Sequence, residues 1–440
     1  MESARSCKAD YCSWLSLLSL HNSLIVPQLH PRIGTVSEGA DMIDFSLTTE
    51  HLALQKKARE FAQQYMIPYA HYHDKTGEFP LPIIRKCWES GLMNLGVPKE
   101  YGGLGLGVID QCLVVEEMAA GCAGMTTSIY VNSLGAEPIL VAGTSEQKEK
   151  YLRPLTKELK FISFACSEPG MGSDVAGIQT QAKKEADHYI LNGSKFWITN
   201  ASYADTFTIF ASLDPSQRHK ALCAFIVDAD TPGLKTGRPV EKMGHRASNT
   251  SSVMLRDVKV RAENLLGSEG QGFLIAMSTF AMTRPAIAAF STGLARAAME
   301  YAREYVNKRE AFGEKLRKFE VTQFKLAEMY MRIEASRMLY LKAAWEADTS
   351  GDSTVAASVA KAYATDAAMW VASEAVQMYG GYGYIDQYPL EKIFRDAKLY
   401  QIYEGTSEIQ RLILGRHVLD GYDPAMEKVP SWGGMKPPDF

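Results

Sequence analysis

From Leu47 onward the apolar positions recur at helical spacing. Leu54, Ala58, Phe61 and Tyr65 fall at i, i+4, i+7 and i+11, and Thr48 is placed to cap the first turn. Pro68 ends or bends the helix they describe. Helical patterning continues to about Leu159, broken where glycines crowd the stretch Tyr101–Gly107. Near Phe161 the period changes. Tyr189-Ile190-Leu191 and Lys195-Phe196-Trp197-Ile198 flank Asn192-Gly193, which predicts a hairpin turn. Phe207 and Ile209 alternate with polar neighbours, residues 224–227 and 253–255 read as further strands, and Pro232-Gly233 marks a turn between them. After Gly272 the helical period returns. Leu294, Ala298, Tyr301 and Tyr305 share one face, as do Leu326, Met329, Ile333, Arg337 and Leu341, and helices are predicted near 353–379, 389–401 and 407–418.

This order predicts an α+β multidomain chain: an extension over 1–41, an N-terminal helical domain over 42–160 and a middle β-barrel-like domain over 161–277. A C-terminal four-helix bundle over 278–424 and a Pro- and Gly-rich tail over 425–440 complete it. A chain of 440 residues exceeds what one hydrophobic core holds. A net charge of -4 gives no basis for nucleic-acid binding, and no apolar run reads as a bilayer span. The seven cysteines show neither C-x-x-C spacing nor a Cys/His cluster, so reduced thiols and no metal site are expected. The first forty residues are rich in Ser and Leu with a few basic residues (Arg5, Lys8, Arg32), the bias of a mitochondrial transit peptide. A disordered extension, or a true start at Met42, accounts for them as well.

No P-loop, G-x-S-x-G elbow or H-E-x-x-H is present, and Gly103, Gly105 and Gly107 lie between helices, as a bend rather than a dinucleotide fingerprint. Four segments are unlike plain scaffolding. Phe164-Ala165-Cys166-Ser167-Glu168-Pro169-Gly170-Met171-Gly172-Ser173-Asp174 is small and hydroxyl-rich, suited to a planar or phosphorylated ligand and equally to a bare loop. Trp197-Ile198-Thr199 offers an indole to cover a ring and a hydroxyl to bond a ring nitrogen, and a β core explains the same tryptophan. In Gln377-Met378-Tyr379-Gly380-Gly381-Tyr382-Gly383, Gly380 serves as a helix C-cap, yet three glycines exceed what a cap needs. Finally, Arg395-Asp396-Ala397-Lys398 precedes Tyr403-Glu404-Gly405-Thr406-Ser407, where Glu404 fits either a helix-dipole partner or a general base.

In this order the motifs S-E-P-G-x-G-S-D, W-I-T-N, R-x-x-F-G, Q-x-x-G-G, R-D-A-K and Y-E-G-T-S resemble the acyl-CoA dehydrogenase family, most of all its medium-chain members, from about Asp44 to Asp420. The resemblance implies the family's three-domain fold, FAD as cofactor, and α,β-dehydrogenation of an acyl-CoA thioester in mitochondrial fatty-acid β-oxidation. Electrons would pass to electron-transferring flavoprotein, in a homotetramer of the mitochondrial matrix. It gives Glu404 the role of α-proton base, with Gly405 beside the thioester. It places Phe164, Cys166, Ser167, Gly172, Ser173, Trp197, Ile198 and Thr199 along the flavin, and Thr406 and Glu408 in the loop beside it. It sends Arg309, Phe312, Gln377, Gly380 and Gly381 to the FAD of a neighbouring subunit, and Ser173, Thr283 and Arg284 to the substrate entrance.

Some positions depart from the family. Ala281 stands in place of an aspartate that binds pantetheine, Leu213 in place of a serine that contacts CoA, and Glu320 in place of a glutamine that holds FAD. Each loses about 1 kcal/mol of hydrogen bonding if unreplaced. Thr126 and Tyr130 replace the glutamine and glutamate of the medium-chain pocket floor, so Tyr130 is expected to shorten or reshape the acyl pocket. Short- or branched-chain dehydrogenation therefore stays open, as does a flavin-binding assembly protein with a weakened CoA site.

Overall fold

The computed structural model describes residues 46–420, so the transit-peptide and tail readings lie outside the described residues. The first helix, α1 (Thr49–Phe61), opens on a reciprocal cap. Thr48 accepts from the His51 backbone N–H through its hydroxyl, and the His51 ring accepts from the Thr48 N–H. Ala58 and Phe61 point inward as the spacing predicts. Pro68 bends the path rather than ending it. A π-helical turn over Ala62–Met66 leads into α2 (Ile67–Thr76), whose first turn holds Pro68 where its missing N–H costs nothing. Next come α3 (Leu81–Glu89), α4 (Val108–Gly121), α5 (Ala123–Ala142) and α6 (Ser145–Lys157). The glycine stretch is the bend between α3 and α4.

The middle region is one mixed sheet built from β1 (Ile162–Ala165), β2 (Gln181–Glu185), β3 (His188–Thr199), β4 (Thr206–Ser212), β5 (Leu222–Asp228), β6 (Leu234–Thr236), β7 (Thr250–Arg261) and β8 (Leu265–Leu266). Its order is β6-β7-β3-β2-β4-β5-β8, with β1 parallel to β4. The hairpin expected at Asn192-Gly193 does not form there. Residues 188–199 are a single strand, paired on one side with β2 and on the other with β7, and Asn192-Gly193 is a bulge between the Leu191 and Gly193 pairings. A Cβ at Gly193 would meet the Thr180 hydroxyl at 2.6 Å, so the glycine answers a crossing chain rather than a turn. The actual turn lies one strand earlier, where Ala186 takes φ 50°. β4 also departs from simple alternation. Phe207 and Ile209 face the sheet's own core, while Phe210 packs beneath α5 and α6, so both faces are covered.

Three long helices follow: α7 (Gly272–Lys308), α8 (Glu320–Ser350) and α9 (Thr354–Tyr379), with a small hairpin of β9 (Glu310–Ala311) and β10 (Glu314–Lys315) between the first two. α10 (Pro389–Tyr400) and α11 (Ser407–Leu419) close the bundle. α7 is long and apolar enough to cross a membrane by length and composition, contrary to the sequence reading. Its apolar surface, from Ala286 to Val306, is instead buried in the bundle core. The described cysteines (87, 112, 122, 166, 223) are free and buried, and no metal-binding cluster occurs among the described residues.

The R-D-A-K segment joins the three regions. Arg395 bonds Asp74 at 2.5 Å and the Met243 carbonyl at 2.8 Å, and Asp396 accepts from the His245 N–H and pairs with Lys392. The buried His245 ring lies between the Thr127 hydroxyl and the Asp396 carbonyl, each 3.0 Å away. Burial holds this imidazole down at about 4. A folded-state pKa below the unfolded value contributes stability above pH 6.5 that is lost as pH falls through 4, roughly 3 kcal/mol. Urea denaturation at pH 7 and pH 4 should show this acid loss, and His245→Gln should reduce it by about that amount. An unchanged acid loss in the variant would refute the assignment.

Candidate active site

Glu404 sits on a turn that two consecutive left-handed residues create, Glu404 at φ 55° and Gly405 at φ 85°. Glycine suits the second position for another reason, since a Cβ there would lie 2.5 Å from the Gln410 amide nitrogen. A non-glycine residue held at positive φ is strained, and the surroundings hold it from every side. Arg284 donates to the Glu404 carbonyl at 3.2 Å, Lys361 donates to the Gly405 carbonyl at 2.6 Å, and Gln410 reaches both carbonyls. Thr406 caps α11 through the Ile409 N–H, and Glu408 lies exposed in its first turn.

The Glu404 carboxyl accepts from the Thr283 hydroxyl at 3.4 Å. Burial pushes it up to about 7, with Arg284, Lys361 and Thr283 opposing the rise. That direction bears on the two sequence readings. A carboxylate serving the helix dipole would be pulled down, whereas a desolvated one near 7 is matched to proton transfer at neutral pH. The residue itself keeps partial access to solvent. The Tyr130 hydroxyl and the Cys166 thiol both feel its charge, which places α5 and the loop after β1 beside it.

The loop after β1 and the end of β3 are stitched together. The Phe196 N–H donates to the Ser167 carbonyl at 2.9 Å, and the Ser163 hydroxyl donates to the Thr199 carbonyl at 2.8 Å. Phe164, Cys166, Ser167, Trp197, Ile198 and Thr199 are thereby brought into one rim. Phe164 and Ile198 are turned inward, Phe164 against Phe210 and Phe280. Trp197 stands out at the second bulge of β3 with φ 64°, 58% exposed. A Cβ on Gly170 or Gly172 would meet open space, so this loop stands clear of the protein; Ser173 is exposed beside the Asp174–Arg218 pair. An exposed indole, nearby hydroxyls and an open glycine loop fit a flat ring with polar edges.

Sequence reasoning missed what fixes this rim. Lys195, fully buried in mid-strand, reaches Glu168 at 2.8 Å and the Cys166 carbonyl at 3.1 Å. Glu168 also accepts from the Gln179 N–H and from the Thr180 N–H and hydroxyl. Although burial opposes it, Lys195 leads the contacts that hold the Glu168 carboxyl below its usual range. A lysine inside an apolar strand was the available signal.

A second group gathers at the end of α9. Arg309, Gln377, Gly380 and Gly381 line a cavity of about 470 Å³ with Tyr305 and Ile385. Phe312 is not in it, and it projects into solvent, 96% exposed. Ala281 is buried, with its carbonyl taken by Ser353, and Leu213 packs against the sheet core. Glu320 opens α8.

Comparison with known proteins matches residues 48–158, 163–258 and 270–419 to the N-terminal, middle and C-terminal domains of acyl-CoA dehydrogenase. The probable acyl-CoA dehydrogenase YngJ of Bacillus subtilis is 42% identical over 86% of this chain and its own full length. The mitochondrial short-chain specific acyl-CoA dehydrogenase of Rattus norvegicus is 41% identical, over 89% of this chain and 94% of its own. The structure of butyryl-CoA dehydrogenase from Megasphaera elsdenii superposes with a TM-score of 0.84 at 42% identity, covering 86% of this chain and all of that one. The acyl-CoA dehydrogenase from Bacillus anthracis, solved in complex with FAD, gives 0.80 at 31% identity over 87% of this chain and 69% of that one. With all three domains matched and the helix–sheet–helix fold shared, the chain belongs to the acyl-CoA dehydrogenase family of oxidoreductases.

Proposed function

We propose that Glu404 is the base that removes the α-proton of an acyl-CoA thioester, and that short acyl chains are preferred. The observation that carries the first part is the enclosed carboxylate, pushed up to about 7 on a turn held at both carbonyls. FAD is the cofactor, and when bound it supplies the acceptor for the hydride that leaves the β-carbon. Ser167, Gly172, Ser173, Trp197, Ile198 and Thr199 would hold it along the rim, with Thr406 and Glu408 beside them. The chain's own residues do the rest. Thr283 and Arg284 orient the base, the turn aims it, and Tyr130 and Phe164 exclude water from the apolar end of the site. An α-hydrogen of a thioester is weakly acidic, so a base near 7 abstracts it only when held in line with the C–H bond.

Chain length rests on Tyr130. Its buried ring meets Phe290 edge to face at 5.4 Å, closing the floor that the sequence reading gave to the acyl tail. The short-chain rat relative and the butyryl-CoA dehydrogenase fold agree with that reading, in preference to the medium-chain expectation. Electron-transferring flavoprotein is the proposed acceptor. Assembly of copies is supported by Phe324, Met331, Met338 and Trp345, an apolar stripe at seven-residue spacing exposed along α8. In that assembly Arg309, Phe312, Gln377, Gly380 and Gly381 would serve the flavin of a neighbouring copy.

Anaerobic addition of C4, C8 and C12 acyl-CoAs tests the whole reading, with the flavin bleaching fastest on C4. Tyr130→Ala is expected to raise the C8:C4 ratio of kcat/KM by about tenfold or more. A wild-type optimum at C12 would sink the short-chain assignment, and a flavin that no acyl-CoA bleaches would favour the assembly-protein reading.

A further inference from the structure

Lys361 is fully buried in α9, between Ala360 and Ala362. Among the described residues its ammonium has one hydrogen-bond acceptor, the Gly405 carbonyl at 2.6 Å. An ammonium carries three donors, and burying it without a carboxylate in contact is expensive. An apolar side chain would fill the same space without that cost, so packing does not explain the choice. What the lysine alone provides is a grip on the carbonyl next to the base and a positive charge behind it.

The geometry points to Lys361 as a positioning residue for proton abstraction. It clamps the Gly405 carbonyl to fix the left-handed turn that aims Glu404, and its charge keeps that carboxylate ready to accept a proton. The inference rests on Glu404 as the base. Around Glu404 stand Thr283 and Arg284 from α7, Lys361 from α9, and Tyr130 from α5, while Asp366 of α9 and Glu408 of α11 act on Lys361 itself. Cys166 faces it from the loop after β1, with Tyr403 on its own segment. Arg284 already engages the Glu404 carbonyl, and Lys361 is the second cation opposing the effect of burial on the carboxylate. Burial brings the ammonium itself down to about 8, with the charge of Glu404 opposing that fall.

Two variants separate grip from charge. Lys361→Met removes both, and Lys361→Gln keeps a donor while removing the charge. In both, the acid limb of the kcat/KM profile with butyryl-CoA should move up by about one pH unit. In Lys361→Met the high-pH plateau of kcat should also fall about tenfold or more, with less loss in Lys361→Gln. A second readout needs no turnover. Stability falls with pH between the unfolded and the folded pKa of Glu404, so the pH at which the melting temperature stops falling should rise by the same unit in both variants, with its onset unchanged. Folded, flavin-loaded variants with the acid limb and the melting profile at their wild-type positions would overturn the inference. Should Lys361→Met not fold, Lys361→Gln decides alone. Retained activity in Glu404→Gln would instead refute the base assignment, so the two failures stay distinct.

Discussion

Glu404→Gln should bind FAD with an unaltered visible spectrum, lose about 10²–10⁴-fold in turnover and gain stability at alkaline pH. The loss in rate follows from removing the base, a contribution of about 10²–10⁴-fold for a positioned general base. Glutamine preserves the size of the side chain and its contact with Thr283, so the turn held by Arg284, Lys361 and Gln410 has no reason to shift. The stability gain follows from the same burial. Because the folded-state pKa, about 7, stands above the ordinary 4.5, this group favours folding least once pH rises through 7. Ionising it in place costs roughly 2–3 kcal/mol relative to the unfolded chain, allowing for the residue's partial access to solvent. At pH 8 the variant should therefore be more stable by about that much, with no gain at pH 4. Denaturation at the two pH values, run beside stopped-flow bleaching, gives both answers. A variant that still bleaches would show that the carboxylate is not the base, and one that gains equally at both pH values would show that it is not a buried charge.

The second large effect lies far from the chemistry. Glu116→Ala is expected to cost about 3–5 kcal/mol, the usual penalty for removing one partner from a buried ion-pair network. α4 carries adjacent buried acids. Glu117 takes a two-pronged contact from Arg59 of α1 at 2.9 and 2.8 Å and another from Arg296 of α7 at 2.6 Å. Glu116 takes Arg337 of α8 at 2.7 Å together with the Tyr340 hydroxyl. The acids can be this deep because α4 and α7 approach closely at Gly293, where a Cβ would fall 2.0 Å from the Glu116 carbonyl. Despite its burial, Arg337 is held well above its usual range by Glu116. Removing that carboxylate leaves Arg337 with only Glu334 of its own helix and takes the acceptor from the Tyr340 hydroxyl. Glu116→Met with Arg337→Leu and Tyr340→Phe instead removes the buried charges together, leaving only the partly exposed Glu334 without a partner, and should recover most of the loss. Urea midpoints of the two variants settle it; a loss under about 1 kcal/mol for Glu116→Ala would mean that apolar packing alone holds these helices.

Much of the architecture is local and was therefore readable. The helical periods placed α9, α10 and α11 to within a residue or two, because an amphipathic face and its caps are written in consecutive positions. Asn192-Gly193 was misread for a matching reason. The dipeptide is a turn signal only when the chain reverses, and here β7 and β2 hold both sides of one strand, leaving the glycine to make a bulge around Thr180. The membrane question on α7 had the same form, since an apolar helix of that length is a span or a core helix according to what surrounds it.

The site divides along the same line. By itself the sequence determined the ordered motifs, the helix–sheet–helix plan, and Glu404 as one of two candidates, dipole partner or base. It left Lys195 and Lys361 unnoticed and Glu404 undecided. What bears on that choice lies in the tertiary structure, because the groups that set the carboxylate's surroundings come from far along the chain. Thr283 lies 121 positions away, Arg284 lies 120 positions from the carbonyl it holds, and Lys361 lies 44 from Gly405. Propensity and period act over a few residues, whereas burial, desolvation and charge act through space. The identity of a residue is local, and its acidity is not.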